Sequence, residues 1–199
     1  KILVNKEYDL IINSDTNHLI TKKYFFKKFY KNYDSYGHVT VIEHERINNK
    51  SATQIFTKKG PLAFLPISET ETSIVYSEKK EGIIKKDKLE RIIKKFLKKY
   101  NIKKIYNPKS FLLKSSNLRT YKHKNILAFG DLLHRLHPHA GQGFNMTVRD
   151  IKVLSELIKF RINLGIQLDQ SICSEFEKKT KSKNFLFSNG IDFIYEFFN

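Results

Sequence analysis

The sequence predicts a mixed α/β protein in which an antiparallel sheet is combined with a returning strand and C-terminal helices. Between residues 38 and 76, short β-branched segments alternate with turns, which is typical of an antiparallel sheet. Residues 126–129 form an apolar run that stops abruptly, and apolar residues recur at helical spacing after residue 150. At 199 residues with 40% hydrophobic content, the chain can form one full domain or two small ones with a real core.

The first predicted elements are a β-hairpin and an aromatic segment. Residues 2–4 and 8–13 are apolar runs on either side of a polar turn, which indicates two paired strands. Residues 24–36 are rich in lysine and contain a cluster of four aromatic residues: Phe25, Phe26, Phe29 and Tyr30. Such a segment can stack on single-stranded nucleic acid. The spacing favours a buried aromatic face instead.

Four short strands and a basic helix follow. The strands are predicted at residues 39–42, 53–57, 62–66 and 72–76. Residues 85–100 predict a helix with one apolar stripe, formed by Leu89, Ile92, Ile93, Phe96 and Leu97. Such a helix can lie on an anionic membrane or cover one face of the sheet, and the pattern favours the second arrangement. Pro108 breaks the chain, and residues 110–114 predict a further strand.

The most informative stretch is residues 126–150. The apolar run ends at Gly130-Asp131, and an amphipathic pattern begins after Gly143, so a strand is expected to deliver a polar loop onto a helix start. Gly141 and Gly143 lack a Cβ and let a flat ligand approach the backbone, where free N–H groups of the helix point at it. Asp131 can accept hydrogen bonds from a polyol. The residues alone therefore predict a ligand loop at a helix N-terminus.

Two helices are predicted after this loop. Ile151, Leu154, Ile158 and Ile162 recur at helical spacing, and Gly165 is expected to end that helix. A second helix is expected over residues 169–189, followed by an unusually apolar terminus at 191–198.

The loop resembles the second flavin-binding motif of the FAD-dependent aromatic hydroxylases, in particular their ubiquinone-biosynthesis branch. The matching residues are Gly130, Asp131, His134, Pro138, Gly141, Gln142, Gly143, Asn145 and Asp150. By this resemblance, Gly130-Asp131 would meet the ribityl chain, with Asp131 binding its hydroxyls. The residues that would line the isoalloxazine ring are Pro138, Ala140, Gly141, Gln142, Gly143, Phe144 and Asn145. The helix dipole would stabilise negative charge on the reduced flavin, and no side chain is assigned as an acid or base.

The resemblance also implies an architecture and a reaction. Residues 1–25 would be a remnant of a Rossmann-like FAD-binding domain, 26–118 an antiparallel-sheet substrate domain, and 119–199 the returning FAD-binding segment with the C-terminal helices. NAD(P)H would reduce FAD, and molecular oxygen would then hydroxylate a hydrophobic polyprenylphenol. The segment 60–66 resembles the family's sheet wall, where Phe64 and Leu65 suit an aromatic substrate or simple core packing.

A second family motif is matched only in part. Residues 8–15 resemble a strand that ends in Asp-Gly with Ser and Arg soon after. Asp15 is present, but Thr16, Leu19 and Lys22 stand where those three residues would be expected.

Three histidines near the loop raise the alternative of a metal site. These are His134, His137 and His139, and no carboxylate or cysteine completes a ligand set nearby. The family pattern accounts for His134 alone. We therefore predict no metal, with His134 as a structural hydrogen-bonding residue and the other two as loop residues.

The charge balance permits other functions. The net charge of +17 suggests nucleic acid or an anionic membrane, yet the lysines are spread through every segment. A basic nucleic-acid-binding module is the main alternative to the hydroxylase, and an inactive homologue kept as a scaffold is the third. The hydroxylase interpretation predicts no nucleic-acid partner, and it leaves room for membership in a ubiquinone-biosynthesis complex.

Localisation and completeness can also be predicted. A single cysteine, Cys173, rules out an intramolecular disulfide and fits a reducing compartment. With no spanning apolar run or signal-peptide pattern, we expect a cytoplasmic protein, free or peripheral to the inner membrane. The eight glycines provide no Gly-x-Gly-x-x-Gly fingerprint, so we expect the chain alone to bind FAD weakly, dissolve poorly and lack hydroxylase activity.

Overall fold

The computed structural model describes residues 8–79, 82–97, 99–136 and 142–197. Its elements are β1 (Ile11–Asn13), α1 (Leu19–Tyr24), β2 (Lys28–His44), β3 (Thr53–Thr57), β4 (Gly60–Pro66), β5 (Glu71–Lys79), α2 (Lys86–Phe96), β6 (Ile102–Ile105), β7 (Lys109–Leu118), β8 (Lys122–His123), β9 (Ile126–Ala128), β10 (His134–Arg135), α3 (Gln142–Asn163) and α4 (Gln170–Phe197). The chain divides into two compact units, Lys1–Lys31 with Lys114–Asn199 and Asn32–Leu113. The predicted mixture of antiparallel sheet and helices is confirmed.

The first unit contains a small sheet in the order β1-β9-β8. β1 is parallel to β9, with Asn13 opposite Ala128, and β9 is antiparallel to β8. Every residue of β9 is buried, which confirms the predicted apolar strand. The strand predicted over residues 8–13 is present as β1, whereas its expected hairpin partner, residues 2–4, lies outside the described residues.

Helices α3 and α4 belong to this unit. Gly165 has a φ of +67° just after α3, so the helix ends where glycine was expected to end it. The predicted helix is present, with Leu154 and Leu157 buried and Ile151 and Ile162 49% and 60% exposed. At about 3.6 residues per turn the buried face centres on Leu154 and Leu157, and the two isoleucines lie at its margins.

Helix α4 is longer than predicted. It continues from Gln170 to Phe197 as one helix and takes in the apolar segment that begins at residue 191. Ile172, Cys173 and Phe176 of its first turns are fully buried against the core of the first unit.

The second unit is built on antiparallel strands, as the sequence predicts. β2 pairs with β5, β5 with β4, and β4 with β3, while β6 also pairs with β2. All four strands predicted between residues 39 and 76 are confirmed. The strand predicted at 110–114 lies within the longer β7.

Helix α2 covers one face of this sheet. Leu89 and Ile93 of the helix are fully buried in a core with Ile42 and Phe64 from the strands. The prediction that the basic helix packs on the sheet is therefore confirmed. Phe64 belongs to this core, whereas its neighbour Leu65 is 41% exposed, because successive residues of a strand point to opposite faces.

The predicted buried aromatic face at residues 24–36 is wrong. Phe25 is 1% exposed, but Phe26, Phe29 and Tyr30 are 60%, 52% and 70% exposed. From Lys28 onward the chain is an extended strand, so consecutive side chains such as Phe29 and Tyr30 point to opposite faces and cannot form one aromatic face.

Candidate functional site

The candidate site begins at the end of β9, where the chain turns into a short 3-10 helix, Gly130–Leu132. Gly130 has a φ of +60°, in the left-handed region that favours glycine. Asp131 follows directly and is exposed. Within the described ranges its carboxylate forms no hydrogen bond or ion pair, so it is available to a ligand.

Asp15 lies after the neighbouring strand. Because β1 and β9 are parallel, their carboxyl ends meet at one edge of the small sheet, and a Cβ on Gly130 would lie 3.9 Å from the Cβ of Ser14. Ligands in sheets with parallel strands bind at such carboxyl ends. The carboxylate of Asp15 also accepts the backbone N–H of Asn17 at 2.8 Å, which shapes the turn into α1.

The partly matched residues around Asp15 fall at the start of α1. Leu19, which stands in place of a serine, is 77% exposed at the first residue of the helix. Thr21 is buried and donates its hydroxyl to the carbonyl of Asp15. Asn13 donates to the same Thr21 hydroxyl at 2.7 Å, so this turn is held by its own hydrogen bonds.

The other half of the site is the start of α3. Gly143 is helical, and a Cβ built on it would meet no atom within 4 Å among those described. Phe144 is 76% exposed, and Asn145 is also exposed. The helix start predicted from the sequence is therefore confirmed. Among the described residues, none fills the space beside Gly143.

Part of the predicted loop lies outside the described residues. This applies to Pro138, Ala140, Gly141, His137 and His139, and to the side chain of Gln142. The backbone of Gln142 is described and opens α3.

A buried hydrogen-bond network joins α3 to β10 and α4 at Asp150, about two turns after the helix start. The His134 Nε2 and Asp150 Oδ2 atoms are 2.8 Å apart, and both side chains are buried. Asn184 of α4 donates its amide to the same Asp150 oxygen at 3.1 Å. The predicted structural role of His134 is confirmed, while Asn184 carries no motif that sequence reasoning could have found.

The network extends to two further side chains. Arg149 donates from Nη2 to the Asn184 Oδ1 atom at 2.7 Å. Tyr121 also bonds to Asn184, and burial is the main cause that raises the pKa of Tyr121 to about 12. Tyr121 is therefore a neutral phenol at physiological pH. Through these hydrogen bonds the network links α3, α4 and Tyr121.

The described residues contain no group of three His, Cys, Asp or Glu side chains that could hold a metal ion. The Nδ1 atom of His134 is buried and makes no hydrogen bond with any described residue. One ring nitrogen of His134 is thus engaged by Asp150 and the other has no described partner.

Two of the sequence relatives of this chain are named as hydroxylases. The chain is 27% identical over 156 residues to ubiquinone hydroxylase UbiL of Rhodospirillum rubrum, covering 74% of this chain and 36% of that protein. It is 24% identical over 165 residues to 3-demethoxyubiquinol 3-hydroxylase of Escherichia coli, covering 79% of this chain and 42% of that protein. Both relatives are hydroxylases by name, in agreement with the resemblance of the loop residues to the aromatic hydroxylases. No family profile matches it.

Solved structures show the same fold as this chain. It is similar to p-nitrophenol 4-monooxygenase PnpA from Pseudomonas putida, with a TM-score of 0.65, 14% identity and coverage of 90% of this chain and 47% of that one. A triple mutant of the flavin-dependent brominase Bmp2 gives a TM-score of 0.67, 13% identity and coverage of 96% and 52%.

The chain matches only part of each curated relative. It spans between 18% and 46% of the length of the curated relatives it matches. Across the described ranges, none of its helices has the length and apolar character needed to span a membrane.

Proposed function

We propose that the chain forms the flavin-ring-binding and substrate-sheet portion of an FAD-dependent monooxygenase that hydroxylates the ring of a polyprenylphenol in ubiquinone biosynthesis. One observation carries the proposal. Asp15 and Gly130-Asp131 follow the ends of two neighbouring parallel strands, and no described atom lies within 4 Å of a Cβ built on Gly143 at the start of α3. The carboxylates suit a flexible polyol, and the position beside Gly143 suits a flat ring. The sequence relatives that support this proposal are ubiquinone hydroxylases.

The described residues fit FAD at two places. The exposed Asp131 carboxylate can accept hydrogen bonds from ribityl hydroxyls. The backbone N–H groups at the start of α3 can face the pyrimidine edge of the ring, where the helix dipole stabilises negative charge. The ring would lie against Gly143, Phe144 and Asn145. By the motif alone, Pro138, Ala140, Gly141 and Gln142 complete its lining.

The chemistry belongs to the cofactor, and the chain supplies position and shielding. Bound flavin, reduced by NAD(P)H, activates molecular oxygen for transfer to an electron-rich ring. The His134–Asp150–Asn184 network fixes α3 against β10 and α4, and this sets the direction of the helix axis along which its first N–H groups point. Exposed Phe144 offers apolar surface that can exclude water when substrate covers it.

We assign the substrate ring to the outer face of the sheet in the second unit. Val39 lies opposite Val75, and Val75 lies opposite Ala63, so these small apolar side chains form a row on the face that α2 does not cover. Leu65 extends this row and is 41% exposed. A row of small apolar side chains suits an aromatic ring with little hydrogen-bonding capacity. In this proposal residues 26–118 are the substrate domain, and residues 1–25 and 119–199 contribute to FAD binding.

The experiment is a fluorescence titration of the chain with FAD, comparing wild type with Asp131→Ala. A charge-assisted hydrogen bond is worth about 1.5–3 kcal/mol, so the affinity should fall roughly ten- to hundredfold. Asp131 is exposed, and the stability of the variant should therefore stay close to that of wild type. Glu156→Ala, which removes an exposed carboxylate farther along α3, is the matched control and should leave the affinity unchanged.

Oxygen consumption completes the test. Because the sequence has no Gly-x-Gly-x-x-Gly fingerprint for the pyrophosphate, we expect weak FAD binding and no substrate-coupled NAD(P)H oxidation by the isolated chain. Equal FAD affinity for wild type and Asp131→Ala would remove Asp131 from the site. A wild-type chain with no measurable affinity for FAD, even at millimolar cofactor, would count against the flavin proposal as a whole.

A further inference from the structure

Two cavities adjoin along helix α4 within the first unit. One has a volume of about 590 Å³ and the other about 460 Å³. Both are lined by Phe29, Asn117 and Phe185, so they are neighbouring parts of one depression. We call this depression the α4 groove.

One stripe of α4 forms the floor of the groove. The lining residues recur every three or four positions, as in Ser174, Lys178, Ser182, Phe185, Asn189 and Phe193. This spacing places them on one face of the helix. At 1.5 Å per residue, the stripe from Ser174 to Phe193 is roughly 28 Å long. The α4 groove therefore extends along several turns of the helix.

The walls of the groove are mainly apolar and partly open to solvent. Leu118 and Tyr121 are buried in the wall, while Phe29 and Phe185 are 52% and 50% exposed and Phe193 is 68% exposed. Exposed aromatic side chains grouped along one depression mark a binding surface. Phe29, Phe185 and Phe193 are three of the exposed large apolar side chains of the first unit.

Of the charged residues in the wall, Glu177 and Lys181 pair with each other, and Lys178 is exposed. The Glu177 carboxylate accepts the backbone N–H of Tyr121 at 3.1 Å and lies 3.1 Å from the Lys181 ammonium. The groove thus presents no unpaired buried charge that would demand an ionic ligand. A neutral apolar chain can lie in it, with the lysine ammonium groups remaining in water.

The groove also adjoins the candidate flavin site. Asn117, which lines both cavities, is the register partner of His134 on β10. Its side chain accepts a hydrogen bond from the Ser188 hydroxyl of α4 at 3.1 Å. His134 in turn bonds to Asp150 of α3. One end of the groove therefore shares a wall with the elements that position the flavin loop.

We infer that the α4 groove binds the polyprenyl tail of the phenolic substrate. The inference rests on the proposed function and adds a second binding region to it. An isoprenoid tail is long, uncharged and apolar, as the groove requires, and it is joined directly to the ring that must reach the flavin. Phe185 and Phe193 lie about two turns apart on α4, so each can contact a different isoprene unit of an extended tail.

The test uses a prenylated phenol that carries a photoreactive diazirine at the far end of its tail. After irradiation of the 199-residue chain in dilute detergent, peptide mass spectrometry identifies the labelled residues. We expect label on α4 between residues 182 and 193 and on the segment 29–30, competed by unlabelled prenylphenol and not by the same phenol without a tail. Label spread over the whole surface, or equal competition by the tail-less phenol, would overturn the inference.

Variants sharpen this result. Phe185→Ala and, separately, Phe193→Ala should each reduce labelling by roughly fivefold or more, because each removes apolar contact area. Leu186→Ala is the matched control, since Leu186 is the next residue of the same helix, is 71% exposed and lines neither cavity. Equal loss in all three variants, or binding seen only with anionic vesicles, would assign the surface to membrane contact and refute a tail groove.

Labelling and flavin binding are separate measurements. Phe185→Ala should keep the FAD affinity of wild type, because the groove residues do not include Asp131 or Gly143. If the chain failed to bind FAD while the groove was still labelled specifically, the proposed function would fail and the apolar-chain site would stand.

Discussion

The imidazole of His134 and the carboxylate of Asp150 meet at 2.8 Å in the interior of the first unit. His134 belongs to β10, before the candidate flavin loop, and Asp150 lies in α3, after it. The contact therefore ties the two elements that flank the loop to each other. Since Asn184 holds the same carboxylate from α4, three elements are fixed around one buried group.

This contact leads to a prediction for Asp150→Ala. The substitution leaves the His134 Nε2 atom and the Asn184 amide buried without their acceptor, at a cost of about 1–3 kcal/mol for each unsatisfied group. We expect the free energy of unfolding, measured in urea, to fall by roughly 2–4 kcal/mol. Lys152→Ala, at an exposed position two residues farther along α3, should change it by less than about 0.5 kcal/mol. Similar values for both variants would show that the network does not stabilise the fold.

Gly143→Val tests the open space at the start of α3. A Cβ at this position meets no described atom within 4 Å, so the branched side chain should fit the fold and instead occupy ligand space. We expect FAD affinity to fall at least about tenfold while the stability changes by less than about 1 kcal/mol.

Gly190→Val is a matched control for that variant. Gly190 also lies in a helix, and a Cβ on it likewise meets no described atom within 4 Å, but it lies in α4 rather than at the loop. It should leave FAD affinity unchanged. FAD binding that is equally strong in both variants would show that no ligand approaches Gly143.

Cys173 should be inert in the folded chain. The thiol is fully buried beside Ile172 and Phe176, and burial raises its pKa to about 11. Because only the thiolate reacts, alkylation by iodoacetamide at about pH 8 should be slower than for a free cysteine by at least about a hundredfold. Mass spectrometry follows the reaction, with chain unfolded in urea as the control that reacts fast. Rapid labelling of chain that retains its native circular dichroism would contradict the buried position.

His38 should make the stability depend on pH. Its ring is fully buried in the second unit, 2.8 Å from the Ser110 hydroxyl and 3.5 Å from the Glu78 carboxylate, which also binds Lys88. Burial lowers the pKa of His38 below its ordinary 6.5, outweighing the attraction of Glu78. The unfolded chain therefore binds more protons than the folded one just below pH 6.5. The stability that neutral His38 contributes is fully present above about pH 6.5, and it declines as the pH falls through the lowered pKa of this ring.

Urea unfolding between about pH 5 and pH 8 measures this dependence. His38→Gln removes the titrating ring, so its free energy of unfolding should vary less with pH below 6.5 than that of wild type. Parallel curves for the two proteins would show that His38 is not the group responsible.

Much of the fold can be read from local sequence. The apolar run before Gly130 predicts β9, the alternation in residues 53–57 and 62–66 predicts β3 and β4, and Gly165 predicts the end of α3. Each prediction succeeds because backbone preference and side-chain periodicity act over about ten residues or fewer. The candidate flavin-loop residues Gly130, Asp131 and Gly143 can be predicted for the same reason, since they lie within one short segment.

Tertiary structure decided which side chains are covered and which distant groups meet. Nothing in the sequence near Asp150 indicates Asn184, which lies 34 residues away and reaches it only because α4 packs against α3. Phe25 is buried while Phe29 and Phe185 remain half exposed in the α4 groove, although all three are equally apolar. Periodicity determines which residues share a face, but whether that face meets a partner or solvent depends on elements far along the chain.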